Sequence, residues 1–351
     1  MRVHQVLSGA GRYDAVTTQA IAFRALFTAW GWGGRDVAAN IDPRVAGEIA
    51  PIATLQPAAG DLLLIHYSGY APRLRSVLGL PNRKLLISHN ITPARWFWDH
   101  DPMAAVSCAL GRKQLPEFAA AVDVAAGVSL FNARELGSET VIPILFDPAQ
   151  AGAPGPEDGP GPPAPPTILF VGRIAPHKRQ DAVIRAFELY RRGHAPDARL
   201  VLVGRPVNDT FESAIRELAG ELSPGAVTIE YGLAPQQLAE RYRAAHAFLC
   251  LSEHEGFCIP LLEAFHFGVP VIARAVGGLP EVAGDAALLL GEGDDERVAA
   301  ELLALVASDA QLRAQLRERG ARRVAAYAPE PTARKLRTAL ESLGKPNRSI
   351  G

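Results

Sequence analysis

Residues 148–166 read Pro-Ala-Gln-Ala-Gly-Ala-Pro-Gly-Pro-Glu-Asp-Gly-Pro-Gly-Pro-Pro-Ala-Pro-Pro. Proline has no amide hydrogen to give a helix interior or a central strand, so this segment can continue neither. It predicts an extended connector that divides the chain. Length points the same way, because 351 residues exceed the size at which single hydrophobic cores stop growing.

On both sides of the connector, short apolar runs alternate with helical periodicity. Before it, runs at residues 3–7, 62–66, 85–88 and 141–145 have the character of buried parallel strands, and residues 18–30 have a helical pattern. After it come strands at 168–171, 200–203, 227–230, 247–251 and 269–273, with helices at 180–191, around 211–222 and at 235–245. Residues 311–343, rich in Ala, Leu and Arg, should be helical. The expectation is an α/β fold of two Rossmann-like domains facing a cleft. Its parts would be residues 1–147, the linker 148–166, residues 167–330, and a closing helix and tail at 331–351.

Composition narrows the function. A formal net charge of -1 gives nothing that would recruit the protein to nucleic acid or anionic lipid. Cys108, Cys250 and Cys258 form no C-x-x-C pair, which argues against a zinc or disulfide framework and for a reducing compartment. The first apolar run is too short for a signal peptide, and no run of about 18 apolar residues exists to span a bilayer. A cytoplasmic protein is expected, with peripheral contact on the inner membrane face left open.

The chemistry concentrates in residues 252–265, Ser-Glu-His-Glu-Gly-Phe-Cys-Ile-Pro-Leu-Leu-Glu-Ala-Phe. Glu255 sits in a glycine-containing loop and Glu263 in the first turn of a predicted helix, which Pro260 helps to start. The amides of Gly256, Phe257, Cys258 and Ile259, with the helix N-terminus, would make a positive pocket for phosphate. Carboxylates beside such a pocket suit hydroxyls, since an ionised carboxylate accepts strongly from a sugar's vicinal diol.

This arrangement resembles the E-x7-E motif of the GT-B retaining glycosyltransferases, in particular glycosyltransferase family 4. Gly268-Val-Pro-Val-Ile-Ala273 and Gly277-Gly-Leu-Pro-Glu-Val282 extend the resemblance, which is strong over the C-terminal half and looser before it. It implies that Glu255 contacts a donor sugar and Glu263 grips the nucleotide's ribose. It also implies that Arg173 and Lys178, in the loop after the strand at 168–171, lie against the donor diphosphate. Two fixed cations there would compensate charge on the departing nucleotide. Arg179 is adjacent, but the spacing favours Lys178. Cys258 departs from the pattern, standing where a second glycine is usual; the loop's reliance on backbone amides should accommodate it.

The first half should meet the acceptor. Ser8-Gly-Ala-Gly-Arg-Tyr-Asp14 is no G-x-G-x-x-G fingerprint, because Asp14 takes the third glycine's place and no acidic residue follows the second strand. The resemblance places this loop near donor phosphates and acceptor, so Gly11, with Gly9, would give backbone clearance. Asp14 would either contact an acceptor hydroxyl or cap the first helix. His89, at a strand's carboxyl end, matches a position near the reacting sugar, with His66 a weaker rival. Trp96-Phe97-Trp98 would pack in the core or meet an apolar acceptor at a membrane surface. Asp99-His100-Asp101 has the D-x-D form of metal motifs in the other large glycosyltransferase fold. Here it lacks the apolar strand that should precede it. Residues 291–295 read as a solvated acidic turn.

The function implied is retaining transfer of a hexose, mannose or glucose type, from a nucleotide diphosphate sugar. The acceptor would be a hydroxyl of a glycan or lipid-linked intermediate in surface polysaccharide or lipopolysaccharide synthesis. No metal, cofactor or nucleic acid is expected. The alternatives are a nucleotide-sugar epimerase of the same fold and a non-catalytic sugar-nucleotide sensor.

Overall fold

The computed structural model describes residues 1–11, 14–45, 47–154 and 165–344. It divides into two compact units. Unit 1 comprises Met1–Arg95, Met103–Leu145 and the segment from Pro329 onward; unit 2 comprises Trp96–Pro102 and Phe146–Ala328.

Unit 1 is built on six strands, β1 (Val3–Leu7), β2 (Asp36–Ala38), β3 (Ala50–Pro51), β4 (Leu62–Tyr67), β5 (Lys84–Ser88) and β6 (Val124–Gly127). All pairings are parallel, in the order β3-β2-β1-β4-β5-β6. Four helices fall within this stretch of sequence, α1 (Ala15–Ala29), α2 (Arg75–Leu78), α3 (Pro102–Ala120) and α4 (Leu130–Arg134). Every residue of β1, β4 and β5 is buried, as expected for a parallel sheet covered on both faces.

The chain enters unit 2 through α5 (Pro148–Ala151). Its strands are β7 (Thr167–Val171), β8 (Arg199–Val203), β9 (Val227–Glu230), β10 (Ala247–Cys250), β11 (Val271–Arg274) and β12 (Ala287–Leu290). They form a second parallel sheet, in the order β12-β11-β10-β7-β8-β9. The helices are α6 (Gln180–Gly193), α7 (Asp209–Leu222), α8 (Pro235–Ala244), α9 (Ile259–His266), α10 (Leu279–Ala283), α11 (Glu296–Ser308) and α12 (Ala310–Ala326). A last helix, α13 (Pro329–Gly344), returns to unit 1.

Counted from its own first strand, each sheet has the same 3-2-1-4-5-6 order. The order reverses between β1 and β4 in one and between β7 and β10 in the other. Open parallel sheets bind ligands at that switch point, outside the carboxyl ends of the strands. The loops leaving β7 and β10 therefore occupy the ligand-binding position of unit 2.

Two expectations need correction. Residues 141–145 form no strand, only an isolated bridge between Gly127 and Val141; Pro143 lacks the donor a ladder needs. The proline-rich segment opens with the helical turn α5, because Pro148 stands at its start, where a missing amide hydrogen is harmless, and Asp147 caps it. Residues 155–164 of that segment lie outside the described residues. The closing stretch is helical as expected, in two helices, α12 and α13, with Pro329 starting the second. Leu336 and Leu340 of α13 are fully buried, and Arg337 lies over the rings of Trp30 and Trp32, 5.3 and 5.9 Å from their centroids.

Candidate functional site

In unit 2 the loops leaving β7 and β10 are tied together by backbone. Glu253 N donates to His177 O at 2.8 Å, while Ile174 N donates to Arg205 O at 2.9 Å and anchors the β7 loop. Lys178 ends a short 3-10 turn, Pro176–Lys178, and its Nζ donates to Glu255 Oε1 at 2.6 Å. Burial opposes charge on Lys178, and the Glu255 carboxylate overcomes it, holding the ammonium above its ordinary pKa. Two residues 77 positions apart in sequence thus form one ion pair between a half-buried lysine and a buried carboxylate. Arg173 is exposed, and its side chain makes no hydrogen bond or ion pair among the described residues. Arg179 has a different task. It takes a left-handed backbone (φ 52) and pairs with Asp181 at 2.9 Å and with Glu253, so it is committed to holding the loop.

The backbone of Glu255 is fixed from behind. Gly278 N donates to Glu255 O at 2.9 Å. Gly277 has φ +56, and a Cβ there would lie 2.0 Å from that same oxygen, so only glycine fits.

Helix α9 starts at Ile259 with Pro260 in its first turn, as the sequence predicted. The preceding residue, Cys258, is left-handed at φ 74, ψ 71. A side chain in that conformation costs about 1–2 kcal/mol, which explains why glycine suits the position. Cys258 is nearly buried beside Cys250, and the neighbouring thiol and burial push its pKa up. The amides of Gly256, Phe257, Cys258 and Ile259 donate to nothing among the described residues. Unbonded amides at a helix N-terminus are donors available to an anion.

Glu263 is the fifth residue of α9, one step beyond the first turn the sequence suggested. Burial raises its pKa, and a hydrogen bond from Tyr242 Oη to Oε2, at 2.6 Å, offsets this. Tyr242 is nearly buried and stacks on Phe267 with centroids 5.3 Å apart. No motif marked Tyr242; only the packing of α8 beside β7 brings it there.

In unit 1, His89 and His66 meet, with His66 Nδ1 3.0 Å from His89 Nε2. Asp14 caps α1, accepting from the amides of Val16 and Thr17 at 3.3 Å and from Thr17 Oγ1 at 3.0 Å. Burial raises the pKa of this carboxyl. Gly11 N is engaged as well, donating to Thr17 Oγ1 at 2.9 Å. A Cβ at Gly9 or Gly11 would meet only ordinary contacts, so the protein's own packing requires glycine at neither. Arg12 and Tyr13 lie outside the described residues.

The aromatic run divides. Phe97 is buried edge-on to His177 at 5.6 Å, whereas Trp98 is 48% exposed. His100 packs against Phe211, and its carbonyl accepts from Asn208 at 2.6 Å. Among the described residues one trio of metal-ligating types gathers, Cys250, Glu255 and Cys258, not Asp99 and Asp101. A cation there would have to share Glu255 with Lys178. Asp295, in the acidic turn, caps α11.

Residues 157–323, a little under half of the chain, match the family model "Glycosyl transferases group 1". The D-inositol 3-phosphate glycosyltransferase of Nocardia farcinica is 37% identical over 168 residues, covering 46% of this chain and 37% of that protein. The enzyme of the same name from Stackebrandtia nassauensis is 38% identical over 154 residues, covering 42% and 35%. The chain thus matches little more than a third of the length of these relatives. Among solved structures, a sucrose-phosphate synthase from Thermosynechococcus elongatus superposes with TM-score 0.75 at 18% identity, covering 97% of this chain and 98% of that one. Anabaena HepE in complex with UDP and glucose gives TM-score 0.70 at 15% identity, covering 97% and 99%. The chain has the α/β fold of the GT-B glycosyltransferases, and its second unit carries the sequence pattern of group 1 glycosyl transferases.

Proposed function

We propose that this protein is a retaining hexosyltransferase that uses a nucleotide diphosphate sugar and needs no metal. The observation that carries the reading is the Lys178–Glu255 ion pair beside four amides that donate to nothing among the described residues, at the switch point of the second sheet. The amides and the start of α9 receive the diphosphate. Arg173, exposed and without a side-chain partner among the described residues, and Lys178 compensate charge on the leaving group. Glu263, oriented by Tyr242, accepts from the ribose diol. Glu255 faces the sugar as positive charge develops at the anomeric carbon.

In transfer, the bond from the anomeric carbon to phosphate oxygen breaks, and the acceptor oxygen bonds to that carbon from the same face. The acceptor's proton passes to the departing phosphate, so no separate base is required. His89 and Asp14 of unit 1 serve the sugar and acceptor side, Asp14 alongside its capping role. The acceptor is a hydroxyl of a glycan or lipid-linked intermediate in surface polysaccharide synthesis, handled in the cytoplasm or at the membrane's inner face. No helix among the described residues is long and apolar enough to cross a membrane. A second reading, a polyol phosphate acceptor, is favoured by the inositol phosphate glycosyltransferases among the relatives.

The test is a thermal-shift screen of GDP-, UDP-, ADP- and dTDP-sugars, since selective binding raises the melting temperature by mass action. Product stereochemistry with the selected donor follows. Inversion at the anomeric carbon would reject retention; an isomerised free nucleotide sugar would favour the epimerase; binding without turnover would favour the sensor.

A further inference from the structure

Cys250 ends β10 and Cys258 stands just before α9, yet their thiols lie together, with a carboxylate oxygen of Glu255 beside them. The three ligand atoms are all within 4.8 Å of one another, and Cys250 Sγ is 4.0 Å from Glu255 Oε1. In a tetrahedral zinc site, with Zn–S of about 2.3 Å and Zn–O of about 2.1 Å, neighbouring ligand atoms are roughly 3.6–3.8 Å apart. The trio therefore closes on an ion with a contraction of about 1 Å at most.

Sulfur selects the ion. Two thiols and one carboxylate suit a soft cation, whereas Mg²⁺, Ca²⁺ and Mn²⁺ prefer oxygen alone. Charge balances as well. With neutral thiols, the Lys178 ammonium and the Glu255 carboxylate cancel. Exchanging two thiol protons for one divalent ion leaves the sum at zero, and the protons go to solvent. No net charge is thus brought into a mostly buried place, which would be costly. The group also borders solvent: Cys258 and Glu255 are 9% and 5% exposed, and the Lys178 side chain 18%.

We propose that Cys250, Cys258 and Glu255 bind a soft divalent cation of the zinc class, and that the bound ion shuts the donor loop instead of serving the transfer. Glu255 gives Oε1 to Lys178 at 2.6 Å. An ion on this carboxylate draws it away from Lys178, and the two thiolates fasten the start of α9 to the end of β10. Glu255 is then no longer free to face a sugar. The ion site stands apart from the proposed function; the shutting of the loop rests on that reading. Glycine at position 258 would remove one ligand, so the trait belongs to this chain's departure from the motif.

The experiment is titration of the full chain with Cd²⁺, kept reduced by a phosphine and followed by the ultraviolet absorption of cadmium–thiolate bonds. One ion per chain should bind, and Zn²⁺ should displace it. Cys108, the remaining cysteine, should be replaceable by Ser without effect. Cys250→Ser keeps a hydrogen donor beside Glu255 but removes a soft ligand. Losing even a supporting partner of a metal ligand costs about tenfold to a hundredfold, so binding should weaken by at least roughly a hundredfold. Cys258→Gly should lose the ion likewise. No absorption in the wild type would overturn the site, as would absorption lost in Cys108→Ser and kept in Cys250→Ser. A second arm uses UDP-glucose, GDP-mannose, ADP-glucose and dTDP-glucose. Whichever raises the melting temperature of the ion-free chain should do so less under saturating Cd²⁺, and equally with or without Cd²⁺ in Cys250→Ser. An undiminished rise in the wild type would overturn the shutting of the loop. If none of the four binds the ion-free chain, the donor reading fails and the shutting with it, while the ion site is decided by its absorption alone.

Discussion

Tyr242 on α8 donates its hydroxyl hydrogen to Glu263 on α9 across 2.6 Å, joining two residues that share no motif. Tyr242→Phe removes this bond and leaves the carboxyl with burial alone, which raises its pKa further. Hydrogen bonds to charged groups contribute about 1.5–3 kcal/mol, so nucleoside diphosphate affinity should fall roughly tenfold or more. The loss should be larger at pH 6 than at pH 8, because protonation of Glu263 then removes its strongest acceptor for ribose. Calorimetric titration at the two pH values is the check, and an equal affinity ratio at both would refute the linkage.

The two glutamates should separate kinetically. Glu263→Ala is expected to raise KM for the donor with a modest effect on kcat, since a ribose contact acts equally in ground and transition states. Glu255→Gln keeps the shape of the side chain beside Lys178 and should lower kcat instead. Steady-state kinetics on the identified donor decide; wild-type values in both variants would remove this loop from the site.

Charge compensation should reside in the protein. Arg173→Ala or Lys178→Ala should each cut turnover by roughly a hundredfold, the scale seen on removing one preorganised stabilising group. Activity should persist in EDTA. Loss in EDTA with recovery on adding Mn²⁺ or Mg²⁺ would point to a metal-assisted reaction.

Cys258 carries a side chain where the backbone favours none. Cys258→Gly relieves about 1–2 kcal/mol of left-handed strain against about 0.5–1 kcal/mol of added chain freedom. Its melting temperature should equal or exceed the wild type's. Cys258→Val, β-branched in the same conformation, should melt at least about 3 °C lower. A glycine variant melting well below wild type would mean that packing of the Cys258 thiol outweighs the strain.

Stability should fall in acid. His89 and His177 are held neutral by burial, with pKa values lowered to about 3 and about 2, and His66 is held well below the ordinary range. Below pH 6.5 the unfolded chain binds protons that these folded groups refuse, so stability declines as pH falls from 6.5 towards 3. Each group contributes a slope of up to about 1.4 kcal/mol per pH unit. Denaturant unfolding between pH 7 and pH 4 should show the decline, and His177→Phe should flatten it. An unaltered slope in that variant would count against His177.

Much of this was readable in the sequence for identifiable reasons. Strand β9 was placed at its observed ends because Val-Thr-Ile-Glu is short, β-branched and bounded by turns. The α9 loop was readable because Gly256, Pro260 and two glutamates each have a local consequence for the backbone or its charge. Strand β6, Val-Ala-Ala-Gly, is not legible in the sequence because small residues carry weak strand preference and its place is set by pairing with β5. The Tyr242–Glu263 and His66–His89 contacts have no local signal in the sequence, since only the meeting of distant elements makes them partners. Asp14 was open to two roles, and its capping bonds became visible only with coordinates.

Unit 1 is assembled from both sides of unit 2 in the chain, because α13 follows the last residue of unit 2 and buries Leu336 and Leu340. During synthesis the part begun first is therefore completed second. Unit 2 emerges with all its strands in one uninterrupted stretch, while the first sheet must wait, short of one covering helix, until the ribosome has passed Gly344. Domains that fold as they emerge usually finish in the order they start. In this chain every element of unit 2 precedes the last element of unit 1, so the elements are complete in the opposite order.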